Sequence, residues 1–186
     1  MRALVAIAIA VALGLGATAA TAEPLPSGSL GVMFGAVGGT GADAKHVGYG
    51  VYQFGAQAQW QPMSTERRFG WALRWSFVFG TMYGGDAAKI DDRLRTLQMD
   101  ATVGLRVRPG VDPFRFVTVR FGPELFRANE VIPPYNQRAF LGGVAMIGLE
   151  QYVKGTILLD FDVRYGIIGN GPAEIGILIG AAIVGP

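Results

Sequence analysis

Apolar and polar residues alternate one by one along most of this chain, which is the period of β-strands whose two faces meet different surroundings. The clearest segment runs from Leu97 to Arg108, where Leu, Met, Ala and Val occupy one face and Gln, Asp, Thr, Gly and Arg occupy the other. It is long enough to cross a bilayer, since a tilted spanning strand needs about 9–11 residues. The same pattern predicts seven further strands, at residues 30–37, 52–61, 71–83, 116–126, 140–152, 157–166 and 174–184.

The connections between the predicted strands also alternate in character. Four of them are rich in Gly, Pro, Asn and Asp, and lie at residues 38–46, 84–92, 128–136 and 169–172. The other three are mostly shorter and turn-like, at residues 62–68, 109–113 and 154–155. Membrane barrels have short turns on one side of the bilayer and longer loops on the other. The sequence therefore predicts an all-β protein, an eight-stranded antiparallel up-and-down transmembrane β-barrel.

Composition favours a membrane-embedded barrel over a soluble one. Apolar residues make up 51% of the chain and charged residues only 16%, below the roughly 25% of charged residues that soluble domains carry. The 28 glycines argue against helices, because glycine costs about 1 kcal/mol in a helix interior. A closed barrel then remains as the way to pair every backbone group inside a bilayer. A net charge of +2 without any basic run gives no indication of nucleic-acid binding.

The beginning of the chain predicts an export signal. Arg2 is followed by an uncharged stretch from Ala3 to Gly16, and Ala20-Thr21-Ala22 offers the small residues that a signal peptidase recognises. The apolar stretch is shorter than the roughly 20 residues of a spanning helix. We therefore expect residues 1–22 to be a cleaved signal peptide, residues 23–186 to form the barrel domain, and the mature protein to lie in the bacterial outer membrane.

The polar face of the strands is predicted to line the barrel, and the apolar face to contact lipid. Small residues are frequent on the polar face, as the narrow interior of an eight-stranded barrel requires. Trp and Tyr rings suit the boundary between lipid and water. The predicted membrane-interface aromatics, which lie near strand ends, are Trp60, Trp71, Tyr83, Tyr152 and Tyr165. An inverted soluble barrel, with apolar side chains inside, has the same period and remains an alternative.

Charges of both signs share the predicted inner face. The arginines are Arg74, Arg106, Arg120 and Arg164, and the carboxylates are Asp100, Glu124, Glu150, Asp160 and Asp162. The planar fork of arginine suits confined, multiply hydrogen-bonded pairs. Because an unpaired buried charge is strongly destabilising, we expect these groups to form a nearly complete network of ion pairs that plugs the lumen.

No residue pattern predicts a catalytic site, a metal site or a cofactor. The chain has no cysteine, which excludes disulfides and thiolate ligands. Asp86, Asp91 and Asp92 do not follow the ligand spacing of a calcium loop. Gly38-Gly39-Thr40-Gly41 lacks the lysine that a phosphate-binding loop requires. The only histidine, His46, is predicted to be an exposed loop residue.

This arrangement resembles the small eight-stranded outer-membrane barrels of the outer-membrane protein A and opacity-protein type, over residues 30–184. The resemblance implies a structural or surface-interaction role, with outer-membrane lipid around the barrel. Some small outer-membrane barrels are lipid A-modifying enzymes that use a histidine with serine or acidic partners. His46-Val47-Gly48 lacks the hydroxyl of the deacylase pattern, so no enzyme is predicted. The chain also departs from the family in ending at Pro186, where such barrels usually carry an aromatic residue.

The segment from Arg127 to Arg138 is the predicted place of contact with an extracellular partner, since it combines apolar and aromatic side chains with rigid prolines. The candidate contact residues are Ile132, Pro133, Pro134 and Tyr135. A segment folded over the barrel mouth is the equal alternative. Two other functions stay open: a small-molecule carrier or narrow pore, and a soluble periplasmic ligand-binding barrel.

Overall fold

The computed structural model describes residues 24–25, 27–64, 67–85, 93–167 and 171–185. The predicted signal peptide at residues 1–22 and the loop residues Asp86, Asp91 and Asp92 lie outside the described residues. Within the ranges that the structure describes, no helix is long and apolar enough to cross a bilayer.

Eight antiparallel strands form a closed barrel in which each strand pairs with the next and the last pairs with the first. They are β1 (Gly28–Gly39), β2 (Tyr49–Trp60), β3 (Phe69–Tyr83), β4 (Arg93–Val107), β5 (Arg115–Ile132), β6 (Gln137–Val153), β7 (Ile157–Ile167) and β8 (Ala173–Gly185). The predicted eight-stranded up-and-down barrel is confirmed, and each predicted strand overlaps an observed one. A separate two-stranded pair joins Pro24–Leu25 to Met63–Ser64.

Pairing between β1 and β8 closes the barrel. Gly28 pairs with Gly185, and Gly39 pairs with Glu174, in one continuous antiparallel register. The rim that holds Gly28, Gly185 and the turns after β2, β4 and β6 is named the turn end. The opposite rim, with the connections after β1, β3, β5 and β7, is named the loop end.

Burial alternates along the strands, so one face of the wall looks into the lumen and the other looks outward. On β4, Gln98, Asp100 and Thr102 are buried, while the residues between them are only half-buried. The outward side chains are large and apolar, and Leu141 and Phe54 are 72% and 66% exposed. Branched and aromatic side chains suit the pleated surface of strands. The observed orientation, polar inside and apolar outside, is the reverse of a soluble barrel.

The hairpin of β5 and β6 is longer than predicted. The sequence indicates a loop over residues 128–136, but β5 continues to Ile132 and only residues 133–136 form a turn. Asn129 looks like a loop residue, yet the alternation continues past it, because Ala128 and Ile132 are buried on the inner face. The side-chain oxygen of Asn129 also accepts a hydrogen bond from the Arg95 backbone N–H at 2.8 Å. Burial and this contact outweigh the local turn propensity.

The inward side chains form three layers. An apolar layer at the loop end, named the loop-end plug, contains Met33, Val37, Val47, Val78, Met82, Leu94, Phe126, Ala128, Ile132, Phe140 and Leu178. A smaller apolar layer at the turn end, named the turn-end plug, contains Leu25, Phe116, Tyr152, Leu158 and Ala182. Polar and charged residues fill the space between the two plugs, and are named the polar belt. On β5 the order from the turn end is Phe116, Thr118, Arg120, Glu124 and Phe126, which passes through all three layers.

Candidate functional site

The polar belt holds all nine charged residues that the sequence places on the inner face. Each of them is at most 5% exposed, and the four arginines, Arg74, Arg106, Arg120 and Arg164, are fully buried. Buried glutamines, which the prediction did not include, line the same layer on β2 and β4. They are Gln53, Gln57, Gln59 and Gln98. The belt is therefore a packed polar interior built from long side chains.

Five of these residues form one continuous chain of ion pairs across the barrel. Arg74 on β3 binds Asp162 on β7, and Arg120 on β5 binds the other oxygen of the same carboxylate. Arg120 also binds Glu150 at 2.9 Å, and Arg106 binds the second oxygen of Glu150 at 2.8 Å. Each carboxylate thus bridges two arginines, and Arg120 lies at the centre of the chain.

Arg164 forms a second centre of charge in the belt. It binds Glu124 and, at 3.0 Å, Glu174. Its guanidinium also donates to the Gln98 oxygen at 3.1 Å, and the Gln98 amide in turn donates to Glu174. The sequence analysis missed Glu174, although the period of two places it on the same face as Gly180. The strand looked uncharged because its other inward residues are Gly, Leu and Ala.

The remaining two carboxylates bind neutral side chains. Asp100 accepts a hydrogen bond from the Ser76 hydroxyl, and Asp160 accepts one from the Gln57 amide. Among the described residues, neither carboxylate forms an ion pair with an arginine. The ion-pair network therefore leaves these two predicted members out. The described interior is also richer in acid than in base, with six buried carboxyl groups and five buried arginines.

Two inward glycines make room for the belt. A Cβ atom at Gly148 would overlap the Oδ1 atom of Asp162, and one at Gly180 would overlap the Oδ1 atom of Asp160. Any larger residue would push these carboxylates away from their partners. The small residues of the inner face thus provide the space that long polar side chains from other strands occupy.

Tyr152 lies inside the barrel, so its prediction as a membrane-interface aromatic is wrong. It is 3% exposed, and its hydroxyl accepts hydrogen bonds from Gln61 at 2.8 Å and from Arg106 at 3.3 Å. Its ring contacts Phe116 edge-on, and the Arg106 guanidinium lies 4.1 Å from the centre of the Phe116 ring. The prediction relied on closeness to a strand end, but the period of two places Tyr152 on the same face as Glu150.

The other four predicted interface aromatics lie on the outer face near strand ends. At the turn end, the rings of Trp60 and Trp71 meet edge to face with their centres 4.8 Å apart. At the loop end, the ring centre of Tyr83 lies 6.5 Å from that of Tyr49, a residue that the prediction did not include. Tyr165 is 41% exposed on β7. Both rims of the apolar outer surface therefore carry aromatic side chains.

The connection after β1 and the tip of the β5–β6 hairpin close the loop end. The connection contains one helical turn, Ala44–Val47, whose Val47 is buried in the loop-end plug. The Tyr135 hydroxyl donates a hydrogen bond to Asp43 Oδ1, and Asp43 Oδ2 accepts one from the Ala173 backbone N–H at 2.9 Å. Asp43 thus connects three segments of the chain. The hydrogen bond to Asp43 raises the pKa of Tyr135 to about 12, which keeps the hydroxyl protonated and donating.

The four candidate contact residues do not form an exposed loop. Ile132 is fully buried in the loop-end plug, and Tyr135 is partly buried against the same plug. Of the two prolines at the tip, Pro134 is exposed and Pro133 is half-buried. The prediction of Ile132 as a contact residue is wrong, because the alternation along β5 turns it inward. The alternative, a segment folded over the barrel mouth, is the one observed.

His46 is half-buried in the helical turn at the mouth, and not fully exposed as predicted. Its ring meets the Tyr135 ring edge-on, with the ring centres 6.4 Å apart. Across the described ranges, no group of three or more His, Asp or Glu residues is arranged to hold a metal ion.

Comparisons with known proteins give the same fold. No protein-family model matches the chain, and no curated protein matches it. Among solved structures, Ail, the attachment invasion locus protein of Yersinia pestis, is similar over 87% of this chain and 97% of its own, with a TM-score of 0.57 and 15% identity. Ail in complex with the heparin analogue sucrose octasulfate is similar over 84% of this chain and 95% of its own, with a TM-score of 0.57 and 14% identity.

Neisserial surface protein A is similar over 88% of this chain and 99% of its own, with a TM-score of 0.54 and 11% identity. At such low identity the likeness concerns the fold alone. The closed antiparallel topology, the apolar outer surface and the fold of these neighbours all indicate the same kind of barrel. The chain therefore has the eight-stranded transmembrane β-barrel fold of the small outer-membrane proteins.

Proposed function

We propose that this protein is a bacterial outer-membrane barrel with a sealed lumen, and that it acts as a structural and surface-interaction protein and not as a channel or carrier. The observation that carries the proposal is the polar belt enclosed between two apolar plugs. No catalytic activity, metal or cofactor is part of the proposal.

The burial of the belt supports a sealed lumen. A water-filled pore leaves the charged groups along its wall accessible to water, whereas Arg74, Arg106, Arg120 and Arg164 have no exposed surface. An eight-stranded barrel is just wide enough for its own side chains to fill. The two apolar plugs add a barrier at each end, because an ion that passes them must lose its hydration shell.

The outer surface supports a location within the membrane. Ile147, Leu149 and Phe121 lie near the middle of their strands and are 61%, 54% and 53% exposed. A soluble protein rarely exposes so wide an apolar surface, while a membrane barrel requires one. The aromatic side chains at both rims fit the two boundaries between lipid and water. Short turns face the periplasm in such barrels, so the loop end faces the exterior.

The tip of the β5–β6 hairpin supports a surface-interaction role. The residues exposed at the tip include Val131, Pro134, Gln137 and Arg138, and Pro134 is the one of these that the sequence also predicted as a contact residue. The buried side of the same hairpin, with Ile132, is fixed in the loop-end plug. A rigid support beneath exposed apolar and polar groups lowers the entropy lost on binding. We place the contact with an extracellular partner on these exposed residues.

Conductance across a planar bilayer tests the sealed lumen. The refolded protein is first shown to be inserted by its different gel migration before and after boiling. We expect no current steps above those of the protein-free bilayer. Reproducible steps whose ion selectivity changes in the Arg164→Gln variant would show that ions pass through the belt, and would contradict the proposal.

A further inference from the structure

At the loop end, the outer face of β4 and β5 changes abruptly from apolar to basic. On β4 the outward residues within 97–107 are all apolar, and Arg95 and Arg93 follow them toward the loop end. On β5 the outward residues within 117–125 are all apolar, and Arg127 follows them. All three arginines are exposed. We name Arg93, Arg95 and Arg127 the outer arginine patch.

The register of the two strands places these arginines beside one another. Leu97 on β4 pairs with Arg127 on β5. Arg95 is the next outward residue after Leu97, so Arg95 and Arg127 are diagonal neighbours. Diagonal residues in an antiparallel pair lie about 7–8 Å apart, within reach of long side chains. Arg93 is the next outward residue on β4 and extends the patch toward the loop end.

Neighbouring outward side chains add hydrogen-bond donors. Thr81 pairs with Arg95, and Tyr83 pairs with Arg93, across the β3–β4 ladder. Asn129 lies on the outer face of β5, and its oxygen already accepts from the Arg95 backbone N–H, which leaves its amide nitrogen as a donor. Guanidinium, amide and hydroxyl donors on one surface suit a ligand made of acceptor oxygens, such as phosphate.

The positive charge of the patch is not neutralised within the described residues. None of the three arginines forms an ion pair with a described carboxylate. Glu130, the nearest carboxylate along β5, is half-buried and stands between Ala128 and Ile132, whose side chains are buried on the inner face. Asp43, also at the loop end, accepts its hydrogen bonds from Tyr135 and Ala173.

The patch is confined to one side of the barrel. Near the loop end of β7, β8 and β1, the outward residues are Tyr165, Ile175, Phe34 and Ala36, which carry no charge. Nonspecific attraction of the protein to an anionic membrane surface does not require its arginines to cluster on one side of the barrel. The concentration of three arginines on two adjacent strands therefore indicates a defined site.

We infer that the outer arginine patch binds the phosphate groups of a lipid in the leaflet at the loop end. Arginine binds phosphate through two parallel hydrogen bonds, and two neighbouring arginines hold one group from both sides. Leu97 and Leu125 lie directly below the patch, on the outer face that the acyl chains contact. A soluble polyanion needs no apolar surface beneath its charges, so the position at the edge of the apolar surface favours a lipid. This site goes beyond the proposed function and does not depend on a sealed lumen.

Native mass spectrometry of the full-length protein in non-ionic detergent tests this inference, with diphosphorylated lipid A as the probe. The Arg95→Gln/Arg127→Gln variant removes two charges while keeping polar side chains. A hydrogen bond to a charged group is worth about tenfold in affinity or more, so we expect roughly 10- to 100-fold weaker binding. The matched control is Arg115→Gln, on the outer face of the same strand at the turn end, which should bind like the wild type.

Two further probes separate the possible sources of acceptor oxygens. Dephosphorylated lipid A, with the same acyl chains, should bind the wild type and the double variant equally weakly. Sucrose octasulfate, a soluble polyanion without acyl chains, should not displace the lipid at equal concentration. Gel migration before and after boiling confirms that each variant is folded.

Three results would overturn the inference. One is equal binding of diphosphorylated lipid A by the wild type and the double variant. Another is an equal loss in Arg115→Gln, which would indicate general charge attraction. The third is patch-dependent binding of sucrose octasulfate as tight as that of the lipid, which would assign the arginines to a soluble partner.

Discussion

The two faces of β5 meet opposite surroundings and are built by different rules. On the inner face, Arg120 has specific partners from three other strands, and Phe116 supports the guanidinium of Arg106. On the outer face, Val119 and Phe121 are 52% and 53% exposed and carry no polar group. The inner face therefore depends on which side chain stands at each position, whereas the outer face depends on apolarity. The substitutions below test this difference, beginning with the largest expected effect.

Removal of Arg120 should have the largest effect. The Arg120→Met variant leaves Glu150 and Asp162 with one arginine each, and breaking a buried ion pair from one side typically costs about 3–5 kcal/mol. Urea-induced unfolding from lipid vesicles measures the free energy of unfolding. The control is Arg115→Met, an exposed arginine on the same strand, for which we expect a change within about 0.5 kcal/mol. Equal losses in the free energy of unfolding at the two positions would contradict the difference between the faces.

Adding a single methyl group should destabilise the protein on the inner face of β6 but not on its outer face. The Gly148→Ala variant places a Cβ atom where Asp162 lies, and overpacking of this kind costs about 1–3 kcal/mol. Gly143→Ala, on the outer face of the same strand, brings its Cβ only to 3.5 Å from the Gly122 oxygen, an ordinary contact. The same unfolding measurement should show a loss for Gly148→Ala and little change for Gly143→Ala. A reversed order would mean that the belt is not packed as described.

Loss of the hydrogen bond between Tyr135 and Asp43 should loosen only the mouth of the barrel. The Tyr135→Phe variant loses the hydrogen bond to Asp43, which contributes about 1 kcal/mol. The pKa of Tyr135 lies at about 12, above the ordinary value of about 10, so this contribution is present at neutral pH and is lost as the pH rises through the folded-state value. Hydrogen exchange at pH 7 should become faster in residues 41–47, with Tyr165→Phe as an unchanged control. Unaltered exchange in that segment would show that Asp43 does not hold the mouth closed.

A further comparison uses two phenylalanines on the opposite faces of β5. Phe121→Leu keeps an apolar side chain against lipid, and should change the free energy of unfolding by no more than about 0.5 kcal/mol. Phe116→Leu removes the ring beneath Arg106, and a buried cation–π contact is worth about 2 kcal/mol. Unfolding from vesicles again gives the comparison. A larger loss for Phe121→Leu would contradict an outer face that only requires apolarity.

Sequence alone predicts the strands well because each strand separates lipid from a polar interior. Twelve residues of unbroken alternation at Leu97 to Arg108 establish the period and separate the polar from the apolar face of the strand. The errors arise where another signal was given more weight than the period. Tyr152 was assigned by its closeness to a strand end, and Asn129 by its turn propensity, although alternation places both correctly.

The partners inside the lumen are beyond what one sequence specifies. Arg74 meets Asp162 across the barrel at a sequence separation of 88 residues. That pairing depends on the register of every strand between them, and a shift between Gly50 and Tyr52 changes the register in a way that composition does not reveal. The role of Asp43 at the mouth has the same origin, because its partners Tyr135 and Ala173 come from a turn and a strand that are distant in the sequence.

The orientation of the wall is the central claim, and tryptophan fluorescence in brominated lipid tests it most directly. All three tryptophans lie on the outer side of the wall, with Trp75 in the middle of β3 and Trp60 and Trp71 at the turn end. In a variant that keeps only Trp75, we predict strong quenching by bromines placed deep in the acyl chains. A variant that keeps only Trp60 should be quenched most by bromines near the headgroups. Fluorescence of Trp75 that brominated lipid leaves unchanged would contradict an apolar face in contact with the membrane.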